Sequence, residues 1–213
     1  MKKFLKFGCG SVIALIVLGI IIGALSDSEE PKKESDKVET VANNSDATKD
    51  TKNETNEKDK EKETNNKDLE IYKNEIVVHL DAFQDEYDKH WTNNWVTTFE
   101  GVGNGTVDRY KAYETLNSLE KYYTGLGNKI RNTELPELSK ENQKLLKNYL
   151  SDLQSAILTR SRAASEAADM FDKGEFKPSE MEKIQSTVVY ADQEVVSALV
   201  ERTTLEQKLG LIK

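Results

Sequence analysis

The sequence predicts an all-α protein made of an N-terminal transmembrane helix, a disordered stalk and an up-down-up-down four-helix bundle. Three observations carry this. Phe7 to Leu25 contains no charged residue, Ser26 to Lys67 is built almost wholly from Lys, Glu, Asp, Asn, Thr and Ser, and from Asp68 onward apolar residues recur every three or four positions. That last spacing is the mark of a buried helical stripe, and turn residues divide it into four runs.

Residues 1–6 form a basic tip with Lys2, Lys3 and Lys6. Residues 7–25, as a helix rising about 1.5 Å per residue, nearly match a hydrocarbon core of roughly 30 Å. Asp27, Glu29 and Glu30 follow the block, so the positive-inside rule keeps the N-terminus cytoplasmic and places the C-terminal domain outside the membrane. The block's length favours a retained single-pass signal anchor. Ala24-Leu25-Ser26 also reads as a cleavage site, so cleavage after Ser26 stays open. Cys9, the only cysteine, stands at the start of the apolar block rather than after it and is misplaced for lipid attachment. Gly19 and Gly23 form a GxxxG step, a candidate transmembrane dimer seam. With its short Lys/Phe opening and Ile/Leu/Val/Gly core, this segment resembles the N-termini of membrane-anchored exported proteins of low-GC Gram-positive bacteria. The resemblance covers the N-terminal segment alone and implies location at the cell membrane, not activity.

Residues 26–67 hold too few apolar side chains to offset the entropy of ordering, which predicts a disordered charged linker. Opposite charges at i,i+4 from Glu57 to Glu63 favour a backward extension of the next helix, one that frays without an apolar face.

The bundle is expected over residues 68–213. Its first helix carries Leu69, Tyr72, Ile76, Leu80, Phe83, Tyr87 and Trp91 and ends near the Gly101–Gly105 loop. The second starts with Thr106 as N-cap and is stopped by Pro136. Gly125 and Gly127 predict a kink or a close helix contact within it, or else its early end. Ser139 caps the third, which runs from Leu146 to Met170 and stops at Gly174. Ser179-Glu180-Met181-Glu182 reads as a capping box for the fourth, from Ile184 to Leu209. Arg160 and Arg202 fall on apolar positions of the third and fourth stripes, and the expectation is that both snorkel to the surface.

Chemistry-bearing motifs are scarce. The sequence has no CxxC, HExxH, GxSxG, Walker loop or dinucleotide fingerprint, which argues against an enzyme and against a cofactor. His79 and His90 share a helix face with Glu86 between them, a ligand- or metal-binding alternative, but neither histidine has the glutamate three residues earlier that a di-iron bundle uses. A net charge of −8 with no basic cluster beyond the N-terminal tip excludes a nucleic-acid partner. In this topology the first and third connections lie farthest from the point where the stalk enters. There Trp91, Trp95, Phe99, Gly101, Gly103, Gly105 and Phe176 are the candidate contact surface for an unidentified envelope protein or cell-wall component. The expected function is a non-enzymatic interaction module of the cell envelope: a sensor, an assembly accessory, or an exclusion or immunity factor. Its other partners are the lipid bilayer, through residues 7–25, and a second copy.

Overall fold

A computed structural model describes residues 54–212, with side chains from residue 63 onward. The anchor expected at 7–25, the seam at Gly19 and Gly23, and the linker up to residue 53 lie outside the described residues. Among the described residues every regular element is helical, and no helix is long and apolar enough to cross a membrane.

The elements are α1 (Glu54–Gly103), α2 (Arg109–Asn132), α3 (Lys140–Lys173) and α4 (Pro178–Lys208). The expected boundary at Asp68 is late, because residues 54–67 are helix rather than disordered linker. Side chains near that boundary fasten the helix to the bundle. Asn65 Nδ2 donates to the Lys208 carbonyl at 2.7 Å, and Asp68 is buried against the start of α3.

Helix starts depart from the sequence reading in a consistent way. Asp108, not Thr106, caps α2, its carboxylate accepting from the Lys111 amide at 2.8 Å. Thr106 is held inside the loop, where its amide and hydroxyl both donate to Asn104 Oδ1. Ser139 stands at the start of α3, but its side chain does not cap. Asp68 reaches across from α1 and accepts from the Ser139 amide (3.0 Å), the Ser139 hydroxyl (2.5 Å) and Asn142 Nδ2 (2.8 Å), so one helix caps another. The Ser179–Glu182 box does not form, because Pro178 already occupies the first helical position, where its missing N–H costs nothing. α2 does not end early but runs on as helix through Gly125 and Gly127. Gly127 instead provides a close contact: its carbonyl accepts from Gln154 at 3.2 Å, and a Cβ there would meet Leu158 at 3.0 Å.

Cross-helix pairs fix the directions. Tyr87 meets Tyr123 and Glu86 meets Lys129, so α1 and α2 run oppositely. Thr124–Ser161 and Gln154–Gly127 reverse α3 against α2, while Asn148–Glu201 and Thr159–Glu194 reverse α4 against α3. Asp68–Ser139 and Phe99–Phe171 lie at opposite ends of the parallel α1/α3 pair.

The apolar stripe of α1 explains its least regular feature. Tyr72, Ile76, Leu80, Phe83, Tyr87, Trp91, Trp95 and Phe99 are all buried, yet they advance by fours with a single step of three. From Tyr72 to Phe99 a straight α-helix makes about 7.5 turns, which would leave the two ends of the stripe on opposite sides. Two π-helical stretches, Tyr72–Ile76 and Trp91–Val96, interrupt the α geometry. Each absorbs about one extra residue, or ~100° of rotation, so together they cancel the drift. The whole stripe then faces the core.

Candidate functional site

The underwinding of α1 decides where the expected contact residues lie. Trp91, Trp95 and Phe99 are each 2 % exposed or less, and Gly101 is buried too, so none of them lies on the surface where contact was expected. On an ideal helix both tryptophans could not easily turn inward together with Tyr87 and Phe99. The π stretch at Trp91–Val96 is what permits it. Gly101 serves the loop itself: its carbonyl accepts from the amides of Thr106 and Val107, and a Cβ would collide with Val107.

The buried rings form one continuous row. Trp91 stacks on Trp95 at 4.3 Å, Trp95 meets Phe99 at 4.7 Å, Phe99 meets Phe171 at 5.8 Å, and Phe171 meets Phe176 at 5.3 Å. Opposite the tryptophans, at the level set by the Tyr87–Arg160 and Phe99–Phe171 contacts, α3 supplies Ala163, Ala164, Ala167 and Ala168, all buried. Large rings on one helix are thus matched by small methyl groups on the next.

At the inner end of the row lies Arg160, 1 % exposed, which overturns the expectation that it snorkels. Its guanidinium sits 3.6 Å from the Tyr87 ring centroid and 4.6 Å from that of Trp91. Nη1 donates to the Tyr87 carbonyl and Nη2 to Asp192, both at 3.2 Å, with Asp88 at 3.9 Å. Burial opposes the charge, but the Tyr87 and Tyr123 phenols together with Asp192 and Asp88 outweigh it and hold Arg160 protonated. Burial raises both carboxyls above the ordinary range, and Arg160 pulls them back down. Tyr87 Oη, Trp91 Nε1, Arg160 Nε and Asp192 Oδ2 are buried without a protein partner. Three of the four helices therefore contribute unpaired polar atoms around one cation, an arrangement ordered water ordinarily satisfies.

Arg202 holds a second polar crossing and is 11 % exposed at its side chain. It pairs with Asp81 at 2.6 Å and with Glu206 at 2.8 Å, and Glu206 accepts from Tyr72. Burial pushes the neighbouring Tyr149 hydroxyl up to about 12. Each arginine occupies an apolar position of its stripe; Arg160 is buried there, whereas Arg202 is half-buried and reaches out to the exposed Asp81.

His79 and His90 do not converge with Glu86 into a ligand set. Glu86 is taken by Lys129 at 2.6 Å and accepts from the Tyr122 hydroxyl at 3.3 Å. The His90 ring stacks on Tyr122 at 3.6 Å, whereas His79 tilts against Phe83. No group of three or more metal-ligating side chains occurs among the described residues.

What remains exposed at the far end is a smaller surface. Phe176 is 51 % exposed and Tyr110 is 68 % exposed. Gly103 and Gly105 lie on the exposed α1–α2 loop. The two connections are tied together where Arg109 covers the backbone of Gly174, whose φ of +66° and lack of a side chain make room for the guanidinium.

The described chain is an antiparallel four-helix assembly with a cation-centred aromatic core and two exposed rings at one end. Comparison with protein-family models, curated proteins and solved structures finds no match to it.

Proposed function

We propose that this protein is a non-enzymatic contact module of the cell envelope, tethered to the membrane by residues 7–25 and meeting an envelope protein or wall component with its distal end. The observation that carries this reading is the exposure of Phe176 and Tyr110 at the end of the bundle farthest from the chain's entry. Aromatic side chains held on a rigid base are what contact surfaces use as anchors, because they cover large areas at little entropic cost. Phe176 stands directly on Phe171 and thus on the buried ring row. A sensor, an assembly accessory and an exclusion or immunity factor are all roles such a module performs. The metal-binding alternative at His79, Glu86 and His90 has less support, since Glu86 is engaged by Lys129 and Tyr122.

A photoreactive phenylalanine analogue placed at position 176 of the full chain and activated in intact cells is expected to give a discrete higher-mass adduct. The same analogue at Trp91 should give none, because that site is enclosed. Absence of any adduct from position 176, or an equal yield from position 91, would remove the distal end from the account.

A further inference from the structure

The outward face of α4 differs from the rest of a chain in which 32 % of residues are charged. Between Gln185 and Gln207 every charged side chain of α4 is bonded to another helix. Asp192 pairs with Arg160, Glu194 accepts from Thr159, Glu201 from Asn148 and Glu206 from Tyr72, while Arg202 pairs with Asp81. The opposite side of the helix carries Val189, Gln193, Val196, Val200, Thr203 and Gln207 and no charge at all. These positions alternate by four and three, the spacing of a coiled-coil seam rather than of a solvated face. Val196 and Val200 are 58 % and 60 % exposed, and no described residue covers them.

We infer that this face is a seam between two copies of the chain, packed as a parallel α4–α4 pair about a two-fold axis. Two properties select a second copy over other occupants. First, each side chain of the stripe can meet its own image: valine packs on valine, and the glutamine amide and threonine hydroxyl both donate and accept, so an isologous contact leaves nothing unpaired. Second, the protein carries a net charge of −8, so like surfaces repel, and this uncharged strip is where that repulsion is least. The stretch 26–53 of the same chain is a poor occupant, being dense in charge with Val38, Val41, Ala42 and Ala47 as its aliphatic residues. The parallel sense rests on the tethered reading above, since two chains leaving one membrane from the same end point the same way. Gln193 facing its copy then fixes the register, as a single buried amide does in coiled coils.

The test uses the full chain in membranes with Cys9→Ser as background and one cysteine at a time: Val189→Cys, Val196→Cys or Thr203→Cys on the stripe, and Val78→Cys as an equally exposed control on α1. Mild oxidation is expected to yield disulfide-linked dimers from all three stripe positions, at least fivefold above the control. Yields no greater than that of Val78→Cys overturn the seam, as does an adduct of non-dimer mass. Dimers from Val196→Cys alone overturn the parallel pairing, because an antiparallel crossing brings together only the middle of the stripe. Failure of the tether is read separately, as release of the chain from the membrane fraction, and dimers formed by released chains leave the seam standing.

Discussion

Trp91→Ala and Trp95→Ala are each expected to lower the unfolding free energy by about 3–5 kcal/mol, the cost of removing a fully enclosed indole and leaving a cavity. In a domain of this size that corresponds to a fall in melting temperature on the order of 10 °C. Each ring has neighbours on both sides, Arg160 and Trp95 for Trp91, Trp91 and Phe99 for Trp95, so neither gap can close by a single rotamer change. Phe176→Ala removes only the exposed end of the row and should cost no more than about 1 kcal/mol. Thermal or denaturant unfolding of the three variants checks the order. A tryptophan variant as stable as the parent would return that residue to the surface.

Arg160→Leu carries the second large expected effect, a loss of about 3–5 kcal/mol at neutral pH, because it strands Asp192 and removes the cation beside Asp88. The loss depends on pH in a definite direction. Burial already raises both folded-state carboxyl pKa values above the ordinary 3.8, and removing Arg160, which lowers them, raises them further. A folded state that holds protons more tightly than the unfolded chain gains stability as pH falls through the folded pKa toward the unfolded one. The deficit of Arg160→Leu relative to the parent should therefore shrink between neutral pH and about pH 4. Unfolding curves at the two pH values check this, and a deficit constant with pH would mean that lost packing, not the stranded carboxylates, causes it. Arg160→Leu combined with Asp192→Leu should recover part of the loss at pH 7, since a buried pair replaced on both sides leaves fewer charges uncompensated.

Much of the helical layout was legible because apolar spacing records burial directly. The residues of α3 from Leu146 to Met170 and of α4 from Ile184 to Leu209 read as inward-facing stripes, and most of them are buried. The stop of α3 was legible too, since Gly174 adopts the left-handed conformation expected of a helix-ending glycine. The first helix was misread at its far end for a geometric reason. Steps of four residues drift around an ideal helix, and only the long unbroken series of fours from Phe83 to Phe99 signals that the backbone must underwind to keep the stripe together. The caps failed for a different reason. Asp68 lies far from Ser139 in sequence, so no local motif reveals that it caps α3. Arg160 was expected to snorkel from the edge of its stripe, yet two aromatic faces, a carbonyl and two carboxylates together hold it inside. The exposed uncharged stripe of α4 was hidden by its neighbours, because the same helix carries a full apolar stripe on the other side.

The proposed function requires a rigid bundle held outside the cell membrane by its own N-terminus. Protease added to intact cells, followed by detection of the C-terminal domain in membrane and supernatant fractions, tests it most directly. The account predicts cleavage between residues 26 and 53, release of an intact α1–α4 fragment, and a small membrane-bound remnant. A domain protected until the cells are lysed, or full-length chain already in the medium before protease is added, would contradict it.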